Sequence, residues 1–314
     1  NKSVGYFKEE VDVMRNLFIT RTADFDSQKP DFSTLIEKLR EESRTSGTAY
    51  DDSGDVIERI FNKLAEVYPE EPHFAAHLAR YYFYIEKNYE KGFKYIDTAI
   101  DLSSQTGEEI DPLLLHMKAM GYSSIITNSL IRDVNNASDI GDTKMIKEKI
   151  EEIEETAENA FALFEEVRKS NIGVAGHISD VMLCISIASA AKNLIEETEY
   201  MKFVSSEDGE WAVKYIDRAT VLWDECKGLA DDPSSPEMQR IENYLRTVTE
   251  GLQTSIDLWE EYLSNNGQNK IRVRRVLAQA YNKKLKHSSD NDDNQRQIER
   301  IVELMESNMI EEPD

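Results

Sequence analysis

Residues 72–102, PHFAAHLARYYFYIEKNYEKGFKYIDTAIDL, constrain the fold more than any other stretch of this chain. Apolar residues recur every three or four positions on both sides of a short polar turn around Glu86, Lys87 and Asn88. That spacing puts one apolar stripe on each of two helices, joined as a hairpin. A helical hairpin buries only one face by itself, so it gains its core by stacking on neighbours, and the stack presents an extended surface to a partner. The expected architecture is all-α, and the expected activity is recognition.

The rest of the chain agrees with an all-helical reading. Only 13 Gly and 7 Pro interrupt 314 residues in which 40% are hydrophobic and 31% charged, a balance that favours helix over turn-rich β structure. Helical spacing predicts helices around 6–18, 32–42, 57–67, 113–131, 146–167, 174–197, 211–229, 241–263, 271–285 and 295–309. Polar or Gly/Pro-containing breaks separate them, the clearest at 20–30, 43–54, 103–111, 133–142, 205–209, 231–236 and 265–269. Three regions follow: N-terminal helices with a flexible loop over 1–54, regular hairpins over 55–131, and elaborated hairpins over 132–314 that continue the same array.

Within the hairpin, Leu78 and Ala79 take the paired large and small positions of a tetratricopeptide repeat, and Tyr82 its aromatic. Tyr89, Gly92, Ile96 and Ala99 match positions of its second helix. The stretch resembles such a repeat, with Ala75 where a bulky residue is usual and Gly92 where alanine is usual. Weaker echoes occur at Met117, Met120, Gly121 and Ser124 and at Ala212, Ile216 and Ala219. The phrase from Val67 to Tyr82, with Leu17-Phe18-Ile19 and 31–36 upstream, is similar to the repeats that follow the NTPase module of STAND-type proteins, including animal antiviral and bacterial antiphage members. The resemblance covers roughly residues 10–130. It implies an irregular tetratricopeptide-like α-solenoid serving as a sensor or scaffold arm of a larger defence protein. The chain opens at Asn1 directly into amphipathic sequence, which fits a part of a longer protein.

The resemblance also implies a binding face. In tetratricopeptide arrays the first helices of successive hairpins line the concave side, which corresponds here to His73, Ala76, Arg80, Phe83 and Tyr84, then Tyr122, Ile125 and Ile126. Arg80 with two aromatics is the mixture found at binding hot spots. The competing reading is that Phe83 and Tyr84 only pack on the neighbouring hairpin, and both stand open on sequence alone.

Charge narrows the partners. A net charge of −24 and a pI near 4.7 set a field that repels nucleic acid and anionic membranes. One segment opposes that field: Lys270, Arg272, Arg274, Arg275, Lys283, Lys284 and Lys286 lie in a stretch, 269–287, without a single acidic residue. Pairing with the protein's own acidic faces is the first reading, an acidic protein partner the second and nucleic acid the third. The acidic stripe of Glu148, Glu151, Glu152, Glu154, Glu155 and Glu158 has the spacing of a solvated helix face.

Catalytic motifs are missing from the sequence. No phosphate-binding Gly-Lys-Ser/Thr loop, Gly-x-Ser-x-Gly elbow or Cys-x-x-Cys pair is present. His73 and His77 have the i, i+4 spacing of zinc ligands without a third partner placed by sequence, so no metal or other cofactor is expected. Cys184 and Cys226 make no disulfide framework and fit a reducing, cytoplasmic setting. The most apolar run, 181–191, is too short to cross a bilayer. The expectation is a non-enzymatic module for a protein or peptide ligand, or for other domains of its parent protein. A constitutive oligomerisation array is the alternative.

Overall fold

The computed structural model describes residues 58, 61, 62, 65, 69–105, 109–170, 174–194, 199–207, 209–265, 270–287 and 291–311. The helices expected over 6–18 and 32–42, the loop over 43–54 and the upstream motifs at 17–19 and 31–36 lie outside these residues. Every regular element among the described residues is helical. The chain divides into two units. The first takes residues up to Ser129 together with Ile153–Ser170; the second takes Leu130–Glu152 and Asn171–Asp314.

In the first unit, α1 (Pro72–Tyr81) widens into a π-helical turn (Tyr82–Glu86), and α2 (Tyr89–Gln105) runs back along it. Lys87 makes the reversal in the left-handed region, φ 56°, and Asn88 N–H donates to Tyr82 O at 3.0 Å. α3 (Pro112–Ile125) then packs on α2 and also widens into a π-helical turn, Ile126–Leu130. α1 and α3 start alike: an acidic N-cap, Glu71 or Asp111, precedes a proline at the first helical position, where the missing N–H costs nothing and the fixed φ favours the helix.

A π turn disturbs the regular backbone hydrogen bonding of a helix, so polar partners are needed nearby. Two carbonyls beside these turns accept from side chains. Ser124 Oγ donates to Phe83 O at 3.3 Å; Tyr89 OH and Asn128 Nδ2 donate to Ser124 O at 3.1 and 3.0 Å. The Phe83 ring fills the space between α2 and α3, fully buried, edge-on to Phe93 at 5.0 Å. Both flanking helices carry glycine there. A Cβ on Gly92 or Gly121 would lie 2.4 or 2.6 Å from the ring. Gly92 departs from the usual alanine because the ring occupies the methyl's place. The other repeat-like positions, Leu78, Ala79, Tyr82, Ile96 and Ala99, are buried, and Tyr82 stacks on Tyr95 at 5.4 Å.

α4 (Ile131–Asp139) and α5 (Thr143–Arg168) follow; α5 gives its first residues to the second unit and its last to the first. The polar break expected over 133–142 is helical to Asp139. Val134 and Ala137 are buried, two apolar contacts being enough to hold a short helix whose other faces are polar. The chain turns only at Ile140–Asp142, with Gly141 at φ 71°.

The second unit is built round α6 (Ala175–Leu194), buried on nearly every face, as a helix apolar all round must be. It packs against α4, α8 (Glu210–Leu229) and α9 (Pro236–Thr249), with short α7 (Tyr200–Val204) against α8. Asp180 of α6 has a fully buried side chain, and Arg218 of α8 donates to both its oxygens at 2.9 and 2.7 Å. α10 (Leu252–Asn265), α11 (Lys270–His287) and α12 (Asn291–Glu311) complete the unit around Ile256, Trp259, Val273, Leu277 and Leu304. One continuous helix was expected over 241–263. It is broken at Glu250, which is extended (φ −120°, ψ 175°).

Candidate functional site

On α1, the residues expected to face a partner separate by burial. Arg80 is exposed, while His73 and Tyr84 are half-buried; Ala76 and Phe83 are in the core. On α3 and its π turn, Tyr122 and Ile125 are half-buried and Ile126 is buried. Ala76, Phe83 and Ile126 are thus packed inside the first unit rather than presented on its surface in this conformation. Tyr122 packs at a tilt against Phe93, ring centroids 4.5 Å apart. What this side of α1 presents is Arg80, with the edges of His73 and Tyr84.

The two histidines of α1 have opposite surroundings. His73 lies between the N-cap carboxylates of α1 and α3: Nδ1 is 2.5 Å from Glu71 Oε1 and Nε2 3.7 Å from Asp111 Oδ2. The Asp111 and Glu71 carboxylates raise it from 6.5 to about 9, against the opposing effect of burial. His77, stacked on Phe61 at 5.0 Å, is pushed down to about 3 by burial, then by the Arg80 and His73 charges. The two carboxylates favour a charged His73 that ties two helix starts together, whereas burial favours a neutral His77. No cluster of three potential metal ligands occurs among the described residues.

Opposite pH dependences follow. A raised histidine pKa stabilises fully below 6.5, and that stability is lost as pH rises through about 9. The depressed pKa of His77 stabilises above 6.5, and that contribution is lost as pH falls towards 3. Thermal stability of the first unit is therefore expected to peak near neutrality. His73→Gln flattens the alkaline limb and His77→Gln the acid limb. Ring-proton NMR checks the assignment: His73 titrates near pH 9, and His77 shows no titration between pH 5 and 9.

The second unit holds a groove with a largely apolar lining. α6, α9, α10 and α11 enclose a groove of about 530 Å³, in the range of ligand and peptide-side-chain pockets. Its apolar lining comes from Tyr244, Val248, Leu252, Trp259, Val276 and Ala280. Trp259 is fully buried beneath it, packs at a tilt on Tyr244 at 4.7 Å, and donates its indole N–H to Thr247 Oγ1 at 3.1 Å. Lys192, Lys283 and Lys286 supply positive charge, and Asn193, Gln279 and Asn282 supply amides.

Lys192 also accounts for the broken helix. It is 6% exposed, and its ammonium donates to Val248 O at 3.3 Å and Glu250 O at 3.5 Å. Placing a cation at the C-terminus of α9 complements the helix dipole and satisfies end carbonyls. The groove opens where α9 ends and α10 begins.

The basic segment is α11, and its charges divide. Lys284 pairs with Asp293 at 3.4 Å. Arg274 donates to Asn308 Oδ1 at 3.3 Å, and Lys283 to Asn193 Oδ1. Arg275 is exposed, Lys270 is half-buried beside Arg300, and the Arg272 side chain lies outside the described set. Lys283 and Lys286 face the groove. The missed residues, Lys192, Tyr244 and Trp259, come from three other helices, and Trp259 was legible only as a core position. Compared with known proteins, the chain matches no protein-family model, and no curated protein is similar to it.

Proposed function

We propose that this chain is a non-catalytic recognition module that takes an acidic peptide segment, with an apolar side chain at its centre, into the groove of the second unit. The carrying observation is a 530 Å³ groove with an apolar lining and Lys192, Lys283 and Lys286 at its sides, in a chain of net charge −24. The apolar side chain is desolvated in the groove and Lys283 and Lys286 hold its acidic flanks, which selects for sequence as well as charge. The resemblance of 72–102 to tetratricopeptide repeats and of 67–82 to STAND-type proteins supports placing the module as a cytoplasmic sensor arm of a larger defence NTPase. Binding would there shift the parent between two states. Nucleic-acid binding through α11 fits less well, because the field of a chain with net charge −24 opposes a polyanion.

The test is calorimetric titration with a capped peptide in which Asp and Glu flank a Leu-Phe pair. Saturable binding that weakens with salt, and at least tenfold in Lys283→Glu/Lys286→Glu, is the expected result. Unchanged binding in that variant, or equal binding of a peptide with Lys in place of the acids, overturns the reading. Thermal melts confirm that the variant is folded.

A further inference from the structure

The last helix carries a second apolar seam. Gln297, Ile301, Leu304 and Asn308 of α12 face inward, buried or half-buried, and Leu304 joins the core with Ile256, Trp259 and Leu277. About a quarter-turn round the helix, Ile298, Val302, Met305 and Met309 are 46, 47, 45 and 71% exposed. Single exposed apolar residues are ordinary. These four step by 4, 3 and 4, the alternation of the d and a positions of a coiled coil, and run straight along the helix for roughly 17 Å. A helix face that meets only water is ordinarily polar. This one has a seam shaped for another helix.

The charges beside the seam say which helix. Its free edge carries Glu299 and Glu306, both exposed, at the two e positions of that register. In an antiparallel pair with a second copy, e positions face each other, so Glu299 would oppose Glu306 of the copy, a like-charge contact. The net charge of −24 adds repulsion between copies. Lysine or arginine flanking a partner's own apolar seam would turn both terms favourable.

We propose that the outer face of α12 docks a basic amphipathic helix, aligned along Ile298, Val302, Met305 and Met309 with its cations against Glu299 and Glu306. The test uses fluorescence anisotropy of three labelled 18-residue peptides: one with leucines in a heptad seam flanked by lysines, its glutamate-flanked counterpart, and a scramble of the basic peptide with no seam. The basic seam peptide is expected to bind at least tenfold more tightly than either control. Val302→Asp/Met305→Asp and, separately, Glu299→Lys/Glu306→Lys should each weaken it at least tenfold, with melting curves unchanged because all four side chains are exposed. Equal binding of the scramble, which diffuse attraction to an acidic chain would produce, overturns the proposal. So does a dimer of the unliganded chain in sedimentation that Val302→Asp dissociates, since a second copy would then cover the seam.

Discussion

Gly121→Ala is expected to destabilise the first unit although alanine is the better helix former. Removing glycine from a helix interior gains about 1 kcal/mol. Here the new methyl would sit 2.6 Å from Phe83 Cζ, as the one on Gly92 would sit 2.4 Å from Cε1. The ring cannot withdraw, being fully buried and set against Phe93. Overpacking a tight core costs about 1–3 kcal/mol and sometimes more, so the clash outweighs the propensity gain and both alanine variants lose stability. Phe83→Ala removes the ring itself and is expected to cost about 3–5 kcal/mol, the range for a buried phenylalanine. The two defects compensate: in Phe83→Leu the smaller side chain should tolerate Gly121→Ala, giving a favourable coupling in a double-mutant cycle. Gly228→Ala in α8 is the control. A Cβ there meets nothing within 4 Å, and the change should be neutral or stabilising. Urea unfolding reads the sizes, and hydrogen exchange of α2 and α3 amides localises the loss.

Arg218→Met is expected to be the most damaging change in the second unit. It takes the bidentate guanidinium from the Asp180 carboxylate, fully buried on α6, where the Cys184 Sγ–H contact at 3.6 Å is a weak substitute. Breaking a buried ion pair from one side costs about 3–5 kcal/mol. The lower end applies here, because the Arg218 side chain is 31% exposed and water can reach the gap. Asp180→Leu combined with Arg218→Met removes both charges and is expected to recover most of the loss, since a buried pair is worth little against well-packed apolar groups. Denaturant titration of the two single variants and the double variant checks this; a double variant as unstable as Arg218→Met would contradict it.

Much of the helical order was legible, for a physical reason: spacing by threes and fours survives in every long amphipathic segment. Glu71-Pro72 and Asp111-Pro112 likewise mark their helix starts locally. The misreadings share another cause. Ile241, Leu245, Val248, Leu252, Ile256, Trp259 and Leu263 keep helical phase across the break at Glu250, and the cation that completes the end of α9 is Lys192, 56 residues before Val248. No local pattern reports a cap supplied from that distance. The π turns were invisible for a similar reason, since Ser124 and Phe83 meet only after folding. Phe83 read equally well as a hot spot or as core, because an aromatic on a first helix has the same spacing in both roles. Its two glycines, Gly92 and Gly121, held the answer, but only once the ring was seen between them. The groove was half legible: Lys283 and Lys286 stood out by charge, whereas Tyr244 and Trp259 looked like any other core aromatics.

The central claim is that the groove of the second unit is the peptide site, and its tryptophan offers a direct readout. The chain has three tryptophans, hence three indole N–H signals. Only Trp259 lies under the groove, tied to it through Thr247, while Trp223 donates to Glu242 elsewhere in the unit. Titrating the isotopically labelled protein with the acidic Leu-Phe peptide should shift the Trp259 indole signal saturably and leave those of Trp211 and Trp223 in place. Binding that moves Trp223 or Trp211 and leaves Trp259 unchanged would contradict the account.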